Sequence, residues 1–204
     1  MKYVIEQLST IVEGNNPDYE NKELPIGLEN NINLSKIGTF GHSAGGAASA
    51  QLMYEDERVD AGIDMDGTMG YMPDYPLNVA KYGLDRPFML MNAGYNDEGE
   101  VDSHKSAIDR ASFWENTNAW KIDVSIPNGA HFTFTDYLVL IPQIDNKLGI
   151  SQQVIQGSIG SIDYNEVLEA QKKYITAFFD LHLKGIPQSI FDESSKYTDI
   201  YIIE

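Results

Sequence analysis

The stretch GTFGHSAGGAAS, residues 38–49, places Ser43 between Gly41 and Gly45, after a short apolar run and before a run of small residues. Gly41-His42-Ser43-Ala44-Gly45 fits the G-x-S-x-G elbow, where a strand turns sharply into a helix and leaves a serine hydroxyl exposed above a sheet. The pattern carries weight only in context. It needs a strand before it, a helix after it, and an acid and a histidine further along the chain.

The context is present. "KIGTF" (36–40) reads as a short strand, and "AGGAASAQLM" (44–53) as a helix whose small residues let it pack closely under a strand end. "DAGIDMDG" (60–67) and "RPFMLMNAG" (86–94) are apolar runs closed by glycine, the signature of buried parallel strands. "WKIDVSIPNGAHF" (120–132) alternates Ile122, Val124 and Ile126 with polar residues and breaks at Pro127 and Gly129, which predicts a half-buried outer strand. Helices are expected over 2–13, over 103–118, and along Val167, Leu168, Tyr174, Ile175, Phe178 and Phe179, closed by Gly185 and Pro187. Residues 14–34 read as a surface loop. The fold class is α/β, a mostly parallel sheet with flanking helices.

Bulk composition narrows the function. The 204 residues, 42% hydrophobic and 22% charged, suit one globular domain over 1–204. With 31 acidic against 14 basic residues, the net charge of −17 disfavours nucleic acid and anionic membrane surfaces as partners. The absence of cysteine excludes disulfides, thiolate metal sites and a cysteine nucleophile, and leaves the compartment open. No apolar run is long enough for a membrane span, and the first residues are too polar for a secretory signal. The chain reads as soluble.

A serine hydroxyl needs a histidine to take its proton and a carboxylate to orient that histidine. Of four histidines, His42 sits inside the elbow and should diverge from Ser43. His104 opens a polar helix and reads as solvated, while His182 lies in a helix's last turn, where a cation is favourable. His131 follows the last strand at the carboxyl edge of the sheet, where open α/β folds gather ligands. Asp66 and Asp97 each follow a strand, and spacing leaves both open as the acid. The serine, acid, histidine order is that of hydrolases with this elbow. Asp97, Glu98, Glu100 and Asp102 read as a solvated acidic loop, since their spacing is not that of a calcium loop. No metal and no cofactor is expected. Tyr71, Met72, Tyr75, Phe132 and Phe134 lie next to the candidate acid and base in sequence and read either as acyl-pocket lining or as plain core.

"GHSAGGAASAQLMYEDERVDAGIDMDG" (41–67) and "GAHFTFTD" (129–136) resemble the corresponding segments of the platelet-activating-factor acetylhydrolase type of α/β-hydrolase, a serine esterase family. The resemblance runs from the first helix to "YITAFFDLHLKG". It implies Ser43 as nucleophile, His131 as base, Asp66 as acid, the Ala44 N–H as oxyanion donor, and a small carboxylic ester, short-acyl or phospholipid-like, as substrate. Cutinase-like and dienelactone-hydrolase relatives carry the acid one strand later, and "YND" at Asp97 resembles that position. The fold also implies several strands before the elbow strand and a second oxyanion donor from a loop among them. Neither has a counterpart in residues 1–36. The expectation is a C-terminal part of a longer hydrolase, with an unpaired edge at "KIGTF" that invites self-association and with a non-catalytic fragment as the rival reading.

Overall fold

In the computed structural model, which describes residues 1–70, 75–192, 197 and 199–203, a five-stranded sheet runs in the order β1-β2-β3-β4-β5. The strands are β1 Ile37–His42, β2 Val59–Met65, β3 Phe88–Ala93, β4 Lys121–Ile126 and β5 Tyr201–Ile203. β1 through β4 are parallel, and β5 pairs antiparallel to β4. The helices are α1 Lys2–Val12, α2 Ala44–Glu55, α3 Asn78–Tyr82, α4 Ile108–Asn116, α5 Tyr137–Leu148, α6 Gln152–Ile159 and α7 Tyr164–Lys184.

Strand alternation gives the sheet two covered faces. Ala61, Ile63, Met65, Met89, Met91, Ile122, Val124 and Ile126 point into a core closed by Leu138, Ile159, Tyr174 and Phe178 of α5, α6 and α7. On the other face Val59, Phe88 and Leu90 meet Ile5, Met53, Val79 and Phe113 from α1 to α4. Phe88 and Phe113 meet edge to face, the arrangement the ring quadrupoles favour. The second face carries a polar stripe as well: Asp64, Asn92, Asp123 and Ser125 are all buried there.

That stripe corrects the reading of "WKIDVSIPNGAHF". The alternation is real, yet its polar positions meet α4 and the turn before it rather than water. The Asn92 Nδ2–H donates to Asp123 Oδ1 at 2.7 Å, and the His104 N–H to Asp123 Oδ2 at 2.6 Å. β4 is also not the outermost strand, because β5 covers it. The helix expected over 103–118 starts only at Ile108, since residues 103–106 form a turn closed by the Ser106 N–H on Ser103 O. β1 stands at the opposite edge, with Phe40 56% exposed and no strand on its outer side among the described residues. No helix among the described residues is long and apolar enough to cross a membrane.

Candidate active site

The elbow forms where the sequence places it. Ser43 follows β1 with φ 58° and ψ −126°, a left-handed conformation that costs a non-glycine residue roughly 1–3 kcal/mol. The surroundings hold it there: its N–H extends the sheet ladder to Met65 O at 2.8 Å, and its carbonyl accepts from the Gly46 and Ala47 N–H groups. The flanking glycines have different duties. A Cβ on Gly41 would meet the carbonyl carbon of Gly45 at 2.4 Å, so Gly41 is required by close backbone approach, whereas a Cβ on Gly45 would meet open space. Ala44 opens α2, and its N–H, like those of any first helical turn, has no acceptor inside the helix.

Asp66 repeats the device one strand over. It follows β2 with φ 57°, and its N–H donates to Met91 O at 2.7 Å. Oδ1 accepts from the Ala93 N–H at 3.1 Å, which leaves Oδ2 to accept from His131 Nδ1–H at 2.6 Å. His131 opens a 3₁₀ turn, His131–Phe134. Thr133 anchors that turn: its Oγ1 accepts from the Ala130 N–H, it donates to Ile159 O, and its carbonyl accepts from Gln171 Nε2 of α7. The other ring nitrogen, Nε2, faces Ser43 Oγ at 3.1 Å. With Nδ1–H donating to the Asp66 carboxylate, Nε2 offers a lone pair to the serine hydroxyl.

Asp97 is exposed on the loop after β3, and among the described residues no hydrogen bond joins it to His131. Asp102, expected in solvent with it, instead pairs with Arg110 of α4 at 2.5 Å and lines the cleft beside Ser43. His104 is likewise not solvated. It is 5% exposed, bonded through Nδ1 to Asp123 at 2.8 Å and stacked on Trp114 at 4.0 Å between ring centroids. His182 packs against Trp120 and Phe178, and burial lowers its pKa, which disfavours the cation expected at that helix end.

His42 is the neighbour that the sequence did not place. Its ring lies 4.4 Å from that of His131, and its Nε2–H donates to the His131 carbonyl at 2.8 Å, bracing the loop from beneath. Partial burial lowers the His42 pKa. His42, Asp66 and His131 bring three potential metal-donor atoms within 4.8 Å of one another, but those atoms already bond within the cluster and to its backbone.

A cleft of about 950 Å³ opens over Ser43, Asp66 and His131. Its walls are Ala44, Ala47, Ala48 and Leu52 of α2, with Leu77, Met1 and Tyr3 opposite. The aromatics expected there contribute little: Phe134 is buried in the core, Tyr75 and Phe132 lie outside the lining, and Tyr71 and Met72 fall outside the described residues.

Comparison with known proteins agrees with this architecture. The chain is 30% identical over 172 residues to a probable 1-alkyl-2-acetylglycerophosphocholine esterase of Arthroderma benhamiae, covering 83% of this chain and 44% of that protein. It is 27% identical over 167 residues to the platelet-activating factor acetylhydrolase of Bos taurus, covering 81% and 33%. The chain thus spans less than half the length of these relatives. Among solved structures, a ferulic acid esterase from Streptomyces cinnamoneus superposes with a TM-score of 0.69 over the whole chain and 54% of that protein, at 24% identity. An acylaminoacyl peptidase of Pyrococcus horikoshii superposes with a TM-score of 0.50 over 79% of this chain and 26% of its own, at 16% identity. Both likenesses identify the α/β-hydrolase fold. The model of the family described as platelet-activating factor acetylhydrolase, isoform II, matches residues 12–193, and the chain belongs to that family.

Proposed function

We propose that this chain carries the nucleophile, base and acid of a serine ester hydrolase. One observation carries the reading: His131 lies between Ser43 Oγ, 3.1 Å from Nε2, and Asp66 Oδ2, 2.6 Å from Nδ1. In this reading Ser43 Oγ attacks the ester carbonyl while His131 Nε2 takes the hydroxyl proton. Asp66 holds the ring in the tautomer that can do so and stabilises the imidazolium that forms. The carbonyl oxygen becomes an anion beside the Ala44 N–H, which a preorganised backbone donor stabilises without reorganising. His131 then returns its proton to the departing alkoxide, and the alcohol leaves an acyl-serine. Water, deprotonated by the same nitrogen, attacks that acyl group, and collapse of the second tetrahedral species releases the carboxylic acid and restores Ser43–OH. No cofactor enters any step.

The substrate class follows from the relatives and the cleft together. Names of relatives point to acetyl esters of a glycerophospholipid, and the cleft offers both apolar residues, Ala47, Ala48 and Leu52, and charged ones, Lys2 and Arg110, to such an ester. The Ala44 N–H supplies one oxyanion donor, and a single donor of this kind is worth about 10²–10³ in kcat. The test is covalent labelling by a fluorophosphonate. Stoichiometric labelling lost in Ser43→Ala supports the reading, and a folded chain that takes no label refutes it.

A further inference from the structure

A second carboxyl lies behind the first. Asp64 of β2 is 1% exposed, and its Oδ1 accepts from the Gly67 N–H at 2.9 Å, closing the turn that follows Asp66. The same oxygen is wedged against the elbow: it stands 1.7 Å from where a Cβ on Gly46 would lie, and a Cβ on Gly67 would meet both it and the Ser43 carbonyl, at 2.3 and 2.5 Å. One side chain therefore touches both backbone segments on which Ser43 and Asp66 stand. Its other oxygen, Oδ2, is buried and meets no hydrogen-bonding partner among the described residues.

We infer that Asp64 is a positioning residue of this site, held protonated while the site is competent, and that loss of its proton impairs ester hydrolysis at Ser43. The inference rests on the esterase reading above. An ionised carboxylate in this pocket would lack a partner for Oδ2, and burial without a partner disfavours the charged form.

The surrounding groups do not offset this. The strands beside it set Gly41 and Leu90 opposite Asp64, and the first turn of α2 bears no acidic residue. Asp66, just past the end of the same strand, and Asp109 of α4 add negative charge. Arg110 of α4 is the facing cation, but its Nη atoms are spent on Asn92 and Asp102. Its Nε is buried without a partner among the described residues. Burial outweighs both the Gly67 hydrogen bond and that cation and pushes the Asp64 carboxyl up to about 7. Above that pH an anion arises against the N-terminal turn of α2. There it repels the oxyanion developing beside the Ala44 N–H and draws on the same positive helix end. Without that anion the rate would level off on the alkaline side.

The experiment is the pH profile of kcat/KM for p-nitrophenyl acetate from pH 5 to 9.5, for the wild type and Asp64→Asn, with Ser43→Ala subtracted as the blank. Asparagine keeps the size and the acceptor for Gly67 and removes the ionisation. The wild type should fall about tenfold from its optimum to pH 9.5, and the variant should stay within about twofold of its own maximum. The ratio within each preparation cancels any fraction that is inactive at every pH, and circular dichroism at each pH shows that the fold persists. Equal alkaline limbs in the two proteins overturn the inference. If hydrolysis does not depend on Ser43 at all, the esterase reading has failed, and thermal midpoints at pH 5 and 9 decide on Asp64. A raised folded pKa costs the wild type stability as pH rises, so a midpoint of Asp64→Asn that rises relative to the wild type's between pH 5 and 9 supports a proton held there in the fold, and a constant difference overturns it.

Discussion

Ser43 and Asp66 directly follow neighbouring parallel strands, both at positive φ, 58° and 57°. The backbone N–H of each makes one last ladder bond to the next strand, to Met65 O and Met91 O. Each strand thus keeps its pairing to its final residue and then turns its side chain above the sheet edge. His131, from the turn after β4, completes the line across β1 to β4. Three residues separated by 23 and 65 positions meet because parallel strands deliver their carboxyl ends to one edge.

If Ser43 and His131 act as one unit, Ser43→Ala and His131→Ala should each lower kcat for p-nitrophenyl acetate by about 10⁴ or more, and the double variant should be little worse than either. Steady-state kinetics on variants shown to be folded by circular dichroism checks this. Additive losses would separate the two roles.

The two carboxylates predict opposite outcomes. Asp66→Asn keeps the shape and leaves His131 Nδ1 without its carboxylate, so kcat should drop by about 10⁴. Asp97→Asn, on an exposed loop, should change kcat by less than about twofold. The reverse order would place the acid one strand later.

Gly46 and Gly41 test the packing under the elbow. In Gly46→Ala the new methyl would meet Asp64 Oδ1 at 1.7 Å and, less severely, the Gly41 carbonyl oxygen at 2.9 Å, and in Gly41→Ala it would meet backbone of Gly45 at 2.4 Å. A side chain can yield where a main chain cannot. Urea denaturation should show Gly41→Ala losing about 3 kcal/mol or more and Gly46→Ala about 1–3 kcal/mol. Adding Asp64→Ala should recover part of the Gly46→Ala loss and none of the Gly41→Ala loss.

Acid stability should carry the mark of Asp56. The Arg58 guanidinium donates to both of its carboxylate oxygens, at 2.8 and 2.6 Å, and lowers its pKa to about 2. A carboxyl with a depressed folded pKa contributes stability that is complete above its ordinary value near 3.8 and lost as pH falls toward 2. Because Arg58 is 44% exposed, solvent screening leaves about 1 kcal/mol. Unfolding free energies at pH 6 and pH 2.5 should differ by about that much less in Asp56→Asn than in the wild type.

The elbow, the parallel strands and the carboxyl-edge position of His131 were legible in the chain because each is local: glycines around a serine, apolar runs closed by glycine, a histidine after a strand. Composition and order also made the α/β class readable. The choice between Asp66 and Asp97 was not readable from spacing, since both follow a strand and only the distance across the sheet separates them. Nor could the chain show that Asp123 and His104 are interior. An aspartate alternating with isoleucine and valine looks like a solvent face until α4 and the turn before it cover it with partners. β5 adds three residues whose pairing is with β4, some 80 positions earlier, and α5 and α6 form their helices against the core of α7. The sequence by itself determined the local devices that end strands and start helices, because those depend on backbone conformation and neighbouring residues. Tertiary structure alone decided which carboxyl meets His131 and which is sealed beneath Ser43, because burial and partnership belong to residues brought together from distant parts of the chain.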